Sequence, residues 1–346
     1  MIGIGVVGLG FMGRAHLVRY PKIQNVALVA VADQEAERRK PDFQPGGNLD
    51  LGIRALDWER MHVTASAEDL IRDPQVHIVD ICLPTYLHHR YAIMALEQGK
   101  HVICEKPLAL SVAEADQILA AARAAKRRLF VAQVVRFWPE FTYLQQLVES
   151  GELGRLNYLA LSRQSAPAAW SWDNWSADVN RSGGVLDVWI HDVDYANFLL
   201  GLPTQVFAQS AANRRIILAQ FDYATGQRIA VHASRAFSPA LGFEARFEAV
   251  FEGGMARYLS SQKPTLAIYR GSSKTPEYPT VVGDAYLDEL QCFVDCVRED
   301  KDGGKLADSI SARDSLRLAE AGFASALNGA LVKLESRVPR TENAGN

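Results

Sequence analysis

The stretch Ile103-Cys104-Glu105-Lys106-Pro107 ends a β-branched run, His101 to Cys104, in a carboxylate, an ammonium and a proline. A lysine at the carboxyl end of a strand in an open α/β sheet stands where such sheets bind ligands. Pro107 biases Lys106 toward extended geometry, so its side chain is aimed. An ammonium held there can steer a substrate hydroxyl or pass a proton. A surface Glu-Lys pair before a turn is the competing reading. Downstream, Gly183-Gly184 introduces Val185 to Asp194, an apolar helical pattern that stops at Gly201. Asp187 and His191 are four apart and share a helix face. A carboxylate beside an imidazole fixes its orientation and raises its basicity, which suits a general base near neutral pH. The same spacing also serves as a metal-ligand pair, here without a visible third or fourth ligand. A structural pair capping a buried helix fits as well.

A third group of residues lies at the amino end. Ile2 to Val7 reads as a short apolar strand, followed by Gly8-Leu9-Gly10-Phe11-Met12-Gly13 and a helical stretch through Tyr20. This is G-x-G-x-x-G in its required context. The first glycine allows the turn, the second lets the backbone approach a pyrophosphate, and the third lets helix and strand pack closely. Free N–H groups at the helix start suit the anion. Val26 to Ala32 is a second buried strand ending in Asp33, placed to accept from the adenosine ribose hydroxyls and to disfavour the extra phosphate of NADP. A helix N-cap is the alternative for Asp33, and Arg38 and Arg39 keep NADP in view. Residues 40 to 60, with Pro41, Pro45, Gly46 and Gly47, read as an aperiodic excursion.

These groups need a scaffold. Helix near Ser66–Ile71, strand Ile78–Leu83, helix through Gln98, strand His101–Cys104, helix Ser111–Lys126 and strand Leu129–Gln133 alternate as βαβ units of a parallel sheet. Pro84-Thr85 and Glu105-Lys106-Pro107 then sit on the same rim as the glycine loop. After Arg136 the pattern changes. A helix Pro139–Ser150, a strand Leu156–Arg163 and a Trp-rich segment (Trp170, Trp172, Trp175) lead to Gly183-Gly184. Strands at Val206–Ser210, Ile216–Tyr223, Arg228–Ser234, Glu244–Phe251 and Ala256–Ser260, joined by short turns, imply a largely antiparallel sheet. Asp284–Arg298 and Ser309–Leu327 read as closing helices.

At 346 residues the chain exceeds one ordinary core, so two domains are expected. With 48% hydrophobic and 22% charged residues it reads as a soluble globular protein. A net charge of -3 without a basic face gives nucleic-acid binding no support. No apolar run is long enough to span a bilayer, and no export signal is visible at the amino terminus. Cys82, Cys104, Cys292 and Cys296 lie in apolar strand and helix patterns, which points to buried thiols in a reducing cytoplasm.

Taken in order, Gly8-x-Gly10-x-x-Gly13, Asp33, Pro84-Thr85-Tyr86-Leu87-His88, Glu105-Lys106-Pro107 and Gly183-Gly184 with Asp187-x-x-x-His191-Asp192 resemble the Gfo/Idh/MocA oxidoreductases over nearly the whole chain. The glycine loop is shared with many dehydrogenases. Glu-Lys-Pro at that strand end, with Asp-x-x-x-His after the change of pattern, is far more specific. The resemblance implies an α/β fold: a Rossmann domain over 1–133 with a parallel sheet, then a substrate-binding and oligomerisation domain over 134–346 with a large open, mostly antiparallel sheet and closing helices at 284–330. It implies hydride transfer between a secondary alcohol of a sugar, cyclitol or polyol and NAD, with NADP possible, no metal, and a homodimer or homotetramer through the open sheet face.

Carried over residue by residue, Lys106, Asp187 and His191 match the family's catalytic lysine, aspartate and histidine. Gly8, Gly10, Phe11, Met12, Gly13, Asp33, Pro84, Thr85, His88, Glu105 and Lys106 would hold the cofactor, and a cis bond is implied before Pro107. Arg136 and Trp138 after the last Rossmann strand, Arg163 at the end of the next strand, and Trp175 are expected at the substrate, with core or interface packing as the alternative for the tryptophans. Val188 and Trp189 depart from the small residue usual after the aspartate, and the 40–60 connection is longer than usual. An NAD-dependent glycosidase and a sugar-sensing protein without turnover are the other functions such a chain could have.

Overall fold

The computed structural model describes residues 1–43, 46, 58–166 and 171–335. Most of the 40–60 connection, and Trp170, therefore lie outside the described residues. The first half builds β1 (Ile2–Val7), α1 (Phe11–Leu17), β2 (Val26–Ala32), β3 (His62–Thr64), α2 (Ala67–Arg72), β4 (Ile78–Ile81), α3 (His88–Glu97), β5 (His101–Glu105), α4 (Val112–Ala125) and β6 (Leu129–Ala132). All six strands run parallel in the order β3-β2-β1-β4-β5-β6. β4, a central strand, and β6, at the sheet's edge, are both buried at every position, as expected where helices cover both faces of a parallel sheet. The winding reverses between β1 and β4, and a ligand crevice opens outside the carboxyl ends at such a switch point. The glycine turn after β1 and the Pro84 turn after β4 flank that crevice, and Lys106 follows β5 beside it.

The second half builds α5 (Pro139–Ser150), β7 (Leu156–Ser165), α6 (Val179–Ser182), α7 (Leu186–Leu200), β8 (Gln205–Ala211), β9 (Ile216–Asp222), β10 (Arg228–Ser234), β11 (Phe243–Phe251), β12 (Gly254–Leu259), β13 (Leu266–Arg270), α8 (Ala285–Arg298), α9 (Ser309–Asn328) and β14 (Val332–Lys333). Its eight strands are ordered β13-β12-β11-β7-β10-β9-β8-β14, antiparallel except for the parallel pair β7–β10. Alternating burial along β9 and β11 marks one covered and one open face. α7 packs on β7 and β10, and α9 on β8 and α7. Gly322 of α9 permits that last contact, since a Cβ there would lie 2.3 Å from Trp189 Cη2.

Helix and strand positions agree with the sequence reading to within a few residues. Three strands, β3, β13 and β14, were not foreseen. β3 and β14 are too short to show a periodicity, and β13 is a five-residue strand at the edge of the sheet, bridged on its outer side only at Ile268–Glu277 among the described residues.

Candidate active site

A cleft of about 480 Å³ runs from Gly10, Phe11 and Met12, past Pro84, Thr85, Glu105 and Lys106, to Trp138, Arg163, Trp175, Asp187 and His191. At its cofactor end Gly8 has φ +93°, and a Cβ on Gly13 would lie 1.8 Å from the Gly8 carbonyl oxygen. Gly10 is different. Among the described residues a Cβ there would meet only Arg38 Nη1, at 3.5 Å, leaving its face open, and no side chain of those residues caps the start of α1. An open glycine floor beside an uncapped helix start fits a dinucleotide pyrophosphate. Asp33 is buried behind the loop, accepting from Leu9 N at 2.8 Å and Glu35 N at 2.9 Å, with Arg38 Nη1 3.8 Å away. Arg14, which sequence reasoning passed over, ties α1 to the described edge of the 40–60 connection. It donates to the Arg38 and Lys40 carbonyls at 2.6 and 2.7 Å and lies over the Trp58 ring. Burial lowers its pKa to about 10.

His88 does not line this cleft. Its ring is buried between two carbonyls, Nδ1 2.8 Å from Pro107 O and Nε2 2.7 Å from Leu83 O. It ties the Pro84 turn to the Glu-Lys-Pro corner, so its expected cofactor contact is corrected to a positioning role. Burial pushes its pKa down, against the pull of the two carbonyls. The Lys106–Pro107 bond is cis.

The centre of the cleft is a charge cluster. Lys106 Nζ donates to Asp187 Oδ1 at 2.8 Å and to the Asp187 carbonyl at 2.9 Å, while Arg235 Nη1 donates to Asp187 Oδ2 at 3.2 Å. Burial favours the neutral Asp187 carboxyl, but the Lys106 and Arg235 charges outweigh it and hold the pKa below the ordinary value. No hydrogen bond joins Asp187 to His191 among the described residues, and His191 Nδ1 is buried without a partner. The expected Asp187-oriented imidazole is therefore corrected. The two do share a face of α7, but two cations from β5 and β10 have claimed the carboxylate. Burial, then the charges of Lys106 and Arg163, push the His191 pKa well below its usual value. His191 is a neutral imidazole at neutral pH.

At the far end Arg163 pairs with buried Asp192, Nη2 to Oδ1 at 2.9 Å, and still lines the cleft. Trp138, Trp172 and Trp175 line it too, Trp138 edge-on to Tyr286 at 6.2 Å. Arg136 does not. Its Nε and Nη2 bond both oxygens of Asp194 at 2.8 and 2.7 Å, with both side chains almost fully buried. Its expected substrate contact is corrected to a core ion pair. Arg235, by contrast, was missed: it follows β10 directly and carries no motif.

Among the described residues one group, His16, Asp80 and Cys82, brings metal-ligating atoms together. They are bonded to one another instead, His16 Nδ1 to Asp80 Oδ2 at 2.9 Å, with Tyr20 Oη donating to the same oxygen at 2.7 Å. No helix among the described residues is long and apolar enough to cross a membrane.

Comparison with known proteins accounts for both sheets. The Gfo/Idh/MocA oxidoreductase family model, an NAD-binding Rossmann fold, matches residues 2–133, and that family's C-terminal domain model matches 141–257. The oxidoreductase YrbE of Bacillus subtilis is 32% identical over 60% of this chain, which spans 57% of that relative's length. The myo-inositol 2-dehydrogenase of Thermotoga maritima is 28% identical over 85% of this chain and 88% of its own. The aldose-aldose oxidoreductase of Caulobacter crescentus, solved with glycerol, shares the fold with TM-score 0.80 at 22% identity, over 96% of this chain and 99% of its own. The chain thus belongs to the Gfo/Idh/MocA family of NAD-binding oxidoreductases.

Proposed function

We propose that this protein oxidises a secondary alcohol of a sugar, cyclitol or related polyol with NAD. The observation that carries the reading is the place of Lys106. It stands at the end of β5 beside the cofactor cradle, with its Nζ fixed by Asp187 in the cleft that His191 also lines. Residues 1–133 would hold the cofactor and 134–346 the substrate. NAD, when bound over the glycine loop, supplies the acceptor for the hydride.

The chain's own residues do the rest. Lys106 gives two of its N–H bonds to Asp187, and the third goes to the substrate oxygen, where negative charge develops. His191 is neutral and so can accept the hydroxyl proton. The cations that keep it neutral also make the imidazolium short-lived, so the proton passes on to solvent. Trp138, Trp172 and Trp175 offer flat apolar faces to the C–H face of a ring. Glu105 accepts the Lys106 N–H at 3.0 Å and so holds the corner on which Lys106 turns. The similarity to an inositol dehydrogenase favours a polyhydroxylated ring as substrate.

The open sheet face, where Tyr158, Phe207, Leu218 and Val250 are exposed, supports assembly through that surface as a homodimer or tetramer. Four free cysteines suit a reducing cytoplasm. The test is NADH absorbance across inositols, aldoses and their deoxy and acid derivatives, with NAD and NADP. NADH formation with at least one is expected. NAD binding without turnover across the whole panel would remove the dehydrogenase reading.

A further inference from the structure

We infer that the substrate end of the cleft is built for an anionic substrate, a sugar acid or carboxylated polyol, whose carboxylate meets Arg163 and Arg235. This deepens the dehydrogenase reading and rests on it.

The argument is one of charge and free donors. Lys106, Arg163 and Arg235 all line the cleft. Arg163 is matched by Asp192, but Lys106 and Arg235 share a single carboxylate, Asp187. The substrate end therefore carries one more cation than carboxylates. Glu105 does not redress this. It lines the cleft at the cofactor end, not the substrate end, with Oε2 accepting the Lys106 N–H and Oε1 3.4 Å from His16 Nε2; burial lowers the His16 pKa, but Asp80 and Cys82 outweigh it and hold it above the ordinary value. All three cationic side chains are largely withdrawn from water, where an unmatched charge is costly.

The donors are available. A guanidinium has five N–H groups. Among the described residues, Arg163 uses Nε and Nη2 on Asp192, and Arg235 uses Nη1 on Asp187 and on the Ser176 carbonyl at 3.1 Å. That leaves Arg163 Nη1 and the Nε and Nη2 groups of Arg235 for a ligand. Two titratable groups register the surplus. Besides burial, Lys106 and Arg163 push His191 down, and Lys106 and Arg235 hold Asp187 down. A bound oxidised nicotinamide would add another positive charge, which a substrate carboxylate would balance. Trp172 and Trp175 complete the subsite, receiving the apolar face of the ring while the two arginines hold the acid.

The experiment compares matched pairs that differ only in charge: glucuronate and glucuronamide, galacturonate and galacturonamide, gluconate and gluconamide. For each, kcat/KM with NAD and equilibrium affinity for the enzyme–NADH complex are measured on the full-length protein. At least one acid is expected to exceed its amide by about tenfold in either quantity, the scale of a charge-assisted hydrogen bond. A preference in affinity without turnover would support the anionic subsite while counting against the dehydrogenase reading. Amides equal to or better than their acids in all three pairs would overturn the inference. If neutral inositols or aldoses were oxidised at the same time, the dehydrogenase reading would survive it.

Discussion

Lys106 Nζ sits 2.8 Å from Asp187 Oδ1 and 2.9 Å from the Asp187 carbonyl oxygen, so the corner after β5 is pinned to the first turn of α7. Two bonds to one residue fix the ammonium in position. Lys106→Ala should lower kcat by at least ~100-fold, the usual scale for lost acid–base or oxyanion assistance. Asp187→Asn keeps the shape and the carbonyl contact but removes the charge, and should cost about tenfold in kcat with NAD affinity near wild type. Steady-state kinetics and an NAD titration check both. Near-normal turnover of Lys106→Ala on a good substrate would take Lys106 out of the chemistry.

His191 sets the pH dependence. Burial, then Lys106 and Arg163, depress its pKa well below the ordinary value. It should stay deprotonated through pH ~6.5, the usual histidine midpoint, so kcat/KM for alcohol oxidation should be flat there and fall only at clearly lower pH. The stability term has the same direction. The unfolded chain takes up a proton on this histidine below pH ~6.5 and the folded chain does not, so its contribution shrinks as pH falls through that window. An acid limb near 6.5 that survives in His191→Asn would assign the limb to another group.

Parts of this site were legible in the sequence because each has a local cause. Gly8 answers to its positive φ and Gly13 to the Gly8 carbonyl five residues back, and Lys106 to a strand end followed by proline. Asp187 was recognised, but its partners were not. Arg235 reaches it only because β10 pairs in parallel with β7 under α7, a juxtaposition with no trace in local spacing. Arg136 shows the converse. An arginine just past a strand looks the same whether it faces a cleft or a core. Asp194, three residues beyond His191 and on the buried side of α7, captured it. His88 was drawn inward likewise, by the carbonyls of Leu83 and Pro107.

Arg136 should accordingly matter for stability and not for substrate. Its pair with Asp194 is closed on both oxygens and almost fully buried. Arg136→Met leaves Asp194 as an uncompensated buried charge, a change that costs about 3–5 kcal/mol. Urea unfolding should show that loss, while KM of the folded fraction stays near wild type. A raised KM at unchanged stability would return Arg136 to the substrate site.

The glycine loop separates cofactor binding from folding. At Gly13 an added Cβ would lie 1.8 Å from the Gly8 carbonyl oxygen, so Gly13→Ala must push α1 away from β1 and should lower both the melting temperature and NAD affinity. Among the described residues Gly10→Ala meets only the tip of Arg38, at an ordinary 3.5 Å, and its φ of -71° suits any residue. The free protein should therefore melt like wild type. The added methyl would occupy the face over which a pyrophosphate must pass, so the dissociation constant for NAD should rise by about tenfold or more, at least ~1.4 kcal/mol. Thermal unfolding and a fluorescence titration with NAD decide it. Wild-type affinity in Gly10→Ala would mean that the pyrophosphate does not run over this floor, and the cofactor's place in the cleft would have to be redrawn.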